Sequence, residues 1–228
     1  MKFGWQQIPS PVVSEILCHN FDGVVLDTEH ACFNRETLAS CIQVIKLSKK
    51  KAFVRLTEVL NTEIRHCLDS GVDGLIFSTV EKVKQCEKII DYCFYAPKGQ
   101  RGLGLVRQNF WGRKNLIHPP PIIVAQIETK KAVKNLSSIV EYSFDYYLIG
   151  PYDLSLSLGQ PGNFENKEFI NSLKTIEETI PSKKLAVHIP TDIKKQVKKY
   201  CNYGLICLGM DTLSILEHSN GILKDVKF

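Results

Sequence analysis

The sequence predicts a parallel α/β fold, a (β/α)8 TIM barrel, as a single domain over residues 1–228. Short apolar runs rich in β-branched residues recur eight times, and amphipathic segments of helical length separate most of them. No hairpin turn signal joins neighbouring runs. Parallel strands need crossovers, so this alternation builds a parallel sheet, and eight units in a chain of roughly 200–250 residues favour closure into a barrel.

The runs, in order, are Phe3 to Ile8, Val24 to Asp27, Ala52 to Arg55, Gly74 to Ser78, Ile122 to Ile127, Tyr146 to Ile149, Leu185 to His188 and Leu205 to Gly209. Between them, Arg35 to Leu47 reads as a helix opened by Asn34 as N-cap. Thr62 to Asp69 reads as one opened by Asn61, with Ile64, Cys67 and Leu68 as its apolar stripe. Glu81 to Tyr92 and Phe169 to Thr179 repeat the pattern. The unit between the fourth and fifth runs is longer, holding Tyr95 to Gly104 and ending in His118-Pro119-Pro120-Pro121. Long loops in compact domains tend to carry function, and glycines beside Arg101 suit an anion or a neighbouring subunit. Gly102-x-Gly104 lacks the preceding strand, third glycine and downstream acid of a dinucleotide site.

Hydrophobic residues at 44% and charged residues at 23% are ordinary for a globular chain. No apolar run reaches the ~20 residues that cross a bilayer. Met1-Lys2-Phe3-Gly4-Trp5 enters the first strand almost at once, without the regions of a signal peptide, so a cytoplasmic location is expected. Eight cysteines with no Cys-x-x-Cys pair read as reduced, small core residues. The net charge of +5 comes largely from lysine clusters far apart and free of interleaved aromatics, which argues against nucleic acid as a partner.

Two carboxylates close buried apolar runs: Glu128 follows Ile122 to Ile127, and Asp153 follows Tyr146 to Tyr152. In parallel barrels the carboxyl ends of strands are where ligands and metals bind, so these acids point to one shared cation. Two protein carboxylates leave most of the coordination sphere to water and substrate, the way Mg2+ or Mn2+ is held. The same rim receives Asp27-Thr28-Glu29-His30, Arg55 and His188. An arginine there can stabilise an enolate, and a histidine can move the proton that carbonyl chemistry needs. The structural alternatives are helix caps or loop acids for Glu128 and Asp153, a pair with Glu58 for Arg55, and a satisfied rim histidine for His30.

The segments Phe21 to Ala31, Val54-Arg55, Gln126-Ile127-Glu128 and Ile149-Gly150-Pro151-Tyr152-Asp153-Leu154-Ser155 together resemble the class II, metal-dependent pyruvate aldolases of the 4-hydroxy-2-oxoheptanedioate aldolase family, within the citrate lyase β superfamily. The resemblance spans Gly4-Trp5 to about Asp211-Thr212. It implies a carbon–carbon lyase using a divalent metal (Mg2+ or Mn2+, with Co2+ or Zn2+ as further candidates) held by Glu128 and Asp153. It also implies catalytic roles for Arg55, on the keto oxygen and its enolate, and for His30, with Asp27 and Asp69 as acids of the network that orients the histidine. Trp5, Gln126, the Tyr152 and Asp153 amides and, as an acceptor-side contact, His188 would line the substrate pocket. Asp69 also reads as a simple helix-end charge.

The substrates implied are pyruvate and an aldehyde, with a sugar-derived one suggested by the Gly-Pro-Tyr-Asp-Leu-Ser variant. The assembly implied is a homo-oligomer, a trimer or hexamer, with a C-terminal helix about 212–224, Thr212 to Lys224, exchanged between subunits and weakened by Asn220-Gly221. Leu56 and Ser78 stand where the family commonly has proline, and the usual leading helix is missing. A Schiff-base route is disfavoured because no predicted strand ends in lysine, Lys130 lying two residues past Glu128. Two further readings are an acyl-CoA lyase of the citramalyl or malyl type and a non-catalytic barrel.

Overall fold

The computed structural model describes the backbone of residues 1–225 and the side chains of residues 1–222. Eight strands, β1 (Lys2–Gln6), β2 (Gly23–Asp27), β3 (Lys51–Leu56), β4 (Gly74–Phe77), β5 (Ile122–Ile127), β6 (Tyr146–Ile149), β7 (Leu185–Ile189) and β8 (Leu205–Leu208), pair in parallel in sequence order, and β8 returns to β1. The helices α1 (Pro11–Asn20), α2 (Arg35–Leu47), α3 (Asn61–Ser70), α4 (Val83–Cys93), α5 (Lys130–Lys134), α6 (Leu136–Val140), α7 (Pro151–Ser157), α8 (Lys167–Thr179), α9 (Ile193–Gln196) and α10 (Asp211–Asp225) fill the crossovers and the C-terminal end. The predicted closed barrel is the fold.

Most differences in element ends have a local cause. β1 stops at Gln6 because the amides of Gln7 and Ile8 donate to the Asp211 carboxylate, at 2.9 Å each, and not to a neighbouring strand. Asn61 lies inside α3, whose cap Leu60 makes no side-chain bond, whereas Asn34 caps α2 by accepting from the Thr37 amide at 2.8 Å. β8 ends where Gly209 turns to φ 67°. The helix α10 continues through Asn220-Gly221. In the long unit after α4, Asn109 ties a 3-10 turn by accepting from Val106 and Gly112 amides and donating to the Gly104 carbonyl. All eight cysteines are free, six of them buried. Among the described residues no helix is long and apolar enough to cross a membrane.

Period-two alternation sorts each strand between two cores. Phe3, Trp5, Val25, Phe53, Ile76, Val124, Leu148, Ala186, Leu205 and Cys207 pack inside the barrel. Val24, Leu26, Val54, Leu75, Phe77, Ile123, Ala125 and Ile127 face the helices. At the amino end Phe3 and Phe53 meet edge to face at 4.8 Å. They fit because Gly23 and Gly74 bear no Cβ, which would stand 2.6 Å and 2.7 Å from those rings. One inward step further along, the same alternation brings Asp27, Arg55, Gln126 and His188 to the carboxyl end, two residues past Val25, Phe53, Val124 and Ala186. The helices have spent their apolar faces on the outer core, so the upper layer of the barrel is free to be polar.

Candidate active site

Glu128 follows β5 directly and is 2% exposed. Its Oε1 accepts two hydrogen bonds from Thr79, from the backbone N–H at 2.6 Å and the hydroxyl at 2.7 Å. Its Oε2 accepts from the Gln126 side-chain amide. Burial pushes the carboxyl above the usual range, the Thr79 bonds oppose this, and the charges of Glu29 and Asp153 add to the rise. Gly150, opposite at the end of β6, leaves the space: a Cβ there would stand 2.6 Å from Glu128 Oε2 and 3.1 Å from Gln126 Nε2. Gln126 Oε1 is buried with no partner.

Arg55 is held from two sides. Register places Asp27 opposite Arg55 across β2 and β3, and the guanidinium meets that carboxylate through Nε at 2.9 Å and NH2 at 2.7 Å. NH1 lies 2.9 Å from Glu29 Oε2, which also accepts from the Ser78 hydroxyl at 2.7 Å. Three of the five guanidinium N–H groups are thereby engaged and two remain. Burial alone would push Asp27 up; hydrogen bonds and charge from Arg55, with Gln7 and Trp5 donating as well, hold it down at about 2. The Asp27 carboxylate also accepts from the Glu29 and His30 amides at 3.1 and 3.3 Å, which shapes the turn after β2.

Trp5 lies beneath this group, its ring 4.8 Å from the Arg55 guanidinium carbon and stacked on His188 at 4.1 Å. His188 Nε2 is 2.9 Å from the Gly209 carbonyl, which can only accept, so Nε2 carries the proton and Nδ1 is left as an acceptor. Burial lowers the His188 pKa to about 4, with Arg55 contributing, and the imidazole is neutral at pH 7. A cavity of 80 Å3 lies among Trp5, Arg55, Gln126, Gly150, Asp153 and His188. A groove of 700 Å3 adjoins it, sharing Pro151, Tyr152, His188 and Pro190 and opening between α8 and the segment after β7, beside Lys174, Lys195 and Lys199.

The chain thus brings together Trp5, Asp27, Arg55, Gln126, Glu128, Asp153 and His188. Asp153 and Tyr152 sit in the first turn of α7 and are exposed, Tyr152 meeting Phe164 edge to face at 5.2 Å. The His30 ring projects from the rim, 58% exposed and 3.7 Å from Glu29. Asp69 lies in the last turn of α3, which runs back from the carboxyl end of β3 towards the start of β4, so it stands at the opposite pole of its own barrel. There it pairs with Arg101 at 3.1 Å, and Arg101 also donates to Gln108. Lys130 lies on the surface, 3.7 Å from Glu168.

Sequence reasoning assigned no role to Glu29, Ser78 or Thr79. Glu29 was visible inside the strand-two motif. Thr79 gave no signal, since its importance lies in a backbone turn at φ 51°. Among the described residues no three His, Cys, Asp or Glu side chains converge as a metal-binding cluster.

A closed parallel barrel with a buried carboxylate and a pinned arginine at its carboxyl rim defines a (β/α)8-barrel enzyme. The chain belongs to the HpcH/HpaI aldolase/citrate lyase family, whose pattern matches residues 9–216. It is 29% identical over 210 residues, 89% of its length and 81% of the relative's, to 4-hydroxy-2-oxovalerate aldolase of Rhodococcus jostii (strain RHA1). It is 31% identical over 172 residues, 72% of its length and 64% of the relative's, to 2-keto-3-deoxy-L-rhamnonate aldolase of Salmonella gallinarum (strain 287/91 / NCTC 13346). Among solved structures, citrate synthase SbnG matches with TM-score 0.84 at 26% identity, covering 98% of this chain and 91% of that one. An HpcH/HpaI aldolase/citrate lyase family protein from Burkholderia cenocepacia J2315 matches in fold with TM-score 0.89 at 21% identity, covering 99% and 93%. The protein is a carbon–carbon lyase of this family.

Proposed function

We propose that the chain is a divalent-metal-dependent aldolase that cleaves, and in reverse forms, a 4-hydroxy-2-oxo acid from pyruvate and an aldehyde. One observation carries this reading: Glu128 is buried beside two like charges, Glu29 and Asp153, with the orphaned Gln126 Oε1 next to it. Such a group of acceptors is short of positive charge, and hard oxygen donors few in number suit Mg2+ or Mn2+. Glu128 and Asp153 would hold the cation, which when bound would polarise the 2-oxo group as a Lewis acid.

The chain's own residues supply the rest. Arg55, immobilised by Asp27 and Glu29, directs its two remaining N–H groups at the oxyanion of the enolate. Trp5 and Gly150 shape a cavity of pyruvate scale. The first amides of α7, at Tyr152 and Asp153, have no intrahelical acceptor and suit the substrate carboxylate. His30, through water, takes the proton from the C4 hydroxyl; the C3–C4 bond breaks, its electron pair passes to the enolate, and the aldehyde leaves. Protonation at C3 completes pyruvate. His188, neutral and shared by the cavity and the groove, contacts the acceptor end, which extends into the groove.

Exchange of the pyruvate methyl protons in D2O, followed by NMR with Mn2+ or Mg2+, with chelator and with Glu128→Gln, tests this without choosing an aldehyde. Metal-dependent exchange lost in the variant is the expected result. Absence of exchange with every metal would overturn the pyruvate reading. The lysines along the groove favour a second reading, an acyl-CoA lyase, and weight would then pass to it; cleavage of a malyl thioester, read as free thiol, would establish it.

A further inference from the structure

The turn after β4 carries a feature that the aldolase reading does not use. Thr79 is β-branched and sits at φ 51°, a left-handed conformation that such side chains rarely adopt. Neighbouring bonds hold it there: the Thr79 carbonyl accepts from the Gln85 side-chain amide at 2.9 Å, the Val80 amide donates to the Gln126 carbonyl at 3.1 Å, and Gln85 Oε1 accepts from the Glu81 and Lys82 amides. A strained residue fixed so firmly at a site points to a function for the strained geometry. Here the geometry aims two donors of one residue, N–H and hydroxyl, at one oxygen, Glu128 Oε1. The preceding Ser78 places its hydroxyl on Glu29 Oε2.

We propose that Thr79 is a positioning residue that presents Glu128 to a cation through a single oxygen, so that the site prefers a small octahedral ion to Ca2+. This rests on the metal reading above. Thr79 takes both lone pairs of Oε1, whereas Oε2 accepts one bond, from Gln126, so Oε2 alone keeps a lone pair and would bind a cation as a monodentate ligand. Mg2+ and Mn2+ accept one oxygen per carboxylate, whereas Ca2+ gains from bidentate carboxylates and higher coordination numbers. The neighbouring Ser78 ties Glu29 to the arginine, its hydroxyl meeting Arg55 NH1 at Glu29 Oε2. Residues that orient a ligand in this way typically carry 10–100-fold in metal affinity.

The test is Mn2+ binding by the intact protein without substrate, read from the free-ion EPR signal, with Ca2+ as competitor. Thr79→Val keeps the β-branched shape and loses the hydroxyl; Thr79→Ser keeps the hydroxyl. Thr79→Val is expected to weaken Mn2+ about tenfold while Ca2+ affinity changes less than twofold, so that the Mn2+ over Ca2+ preference falls by a similar factor. Thr79→Ser is expected to stay within about twofold of wild type, and thermal unfolding in chelator shows whether each variant is folded. Wild-type Mn2+ binding that Thr79→Val leaves unchanged, or equal loss of both ions, would overturn this inference alone. No Mn2+ binding by wild type would overturn the metal reading and this inference together.

Discussion

Asp27 and Arg55 show how single side chains divide the work of the site. The aspartate is fully buried, which alone would favour its neutral form, yet the guanidinium on both its oxygens keeps it charged. Its pKa falls in the folded state from 3.8 to about 2, so its contribution to stability is present above the unfolded value and is lost as pH falls from about 4 towards 2. The size is about 2 kcal/mol at neutral pH. Urea unfolding of the wild type and Asp27→Asn between pH 2 and 7 measures it: the two curves should converge at the acid end, and a constant gap across the range would contradict the assignment. His188 behaves oppositely, since burial keeps it neutral; its stacking on Trp5 and its bond to Gly209 place it as a wall and an acceptor.

Between neighbouring elements, the end of β6 decides whether the end of β5 can function. Ile127 and Ile149 are register partners, so Glu128 and Gly150 lie side by side where the strands splay. Gly150 has φ −100°, which any residue adopts, so the need for glycine is spatial. Gly150→Ala would place a methyl group against Glu128 and Gln126. It should lower Mn2+ affinity and the pyruvate exchange rate at least tenfold while leaving the far-UV circular dichroism unchanged, because the displaced groups are side chains above the packed layers. Wild-type affinity in this variant would show that the carboxylate has room to retreat. The same splayed ends explain how the sheet supplies a pocket: β1, β3, β5 and β7 contribute Trp5, Arg55, Gln126 and His188, while the layer below is closed by Phe3, Phe53 and Val124.

Across the molecule, stability and function pull against each other at Glu128. A carboxyl whose pKa is raised by folding makes the metal-free fold less stable as pH rises through that value, because the charged form is disfavoured in the barrel and not in the unfolded chain. Glu128→Gln removes the charge and keeps the shape, so in chelator at pH 7 it should melt above the wild type by a few degrees, the two converging at low pH. With Mn2+ the order should reverse, since ligand binding to the folded state alone stabilises it. Scanning fluorimetry with and without chelator measures both, and a variant less stable than wild type in chelator would show that the Thr79 and Gln126 bonds outweigh the buried charge.

What could be read along the chain followed from local periodicity. Alternation of apolar runs and amphipathic segments dictated the barrel, and strand-end acids and Arg55 were legible because a charge closing a doubly buried strand has no structural reason to be there. His188 was legible in the same way, and motif correspondence added Trp5 and Gln126; period-two facing independently directs all three inward. For Asp69, correspondence says which residue matches and not which pole of the barrel it occupies; the direction of α3 sends it to the far end of its own barrel, onto Arg101. Only the closed structure decided the rest. Glu29 joins Arg55 and Ser78, and Thr79 reaches Glu128, across 49 residues each in the case of Ser78–Glu29 and Thr79–Glu128. Such bonds depend on strand register and on one left-handed turn, and neither is written in the local pattern: a β-branched residue has no intrinsic tendency towards positive φ, so Thr79 adopts it only where Gln85 and Gln126 hold its neighbours in place.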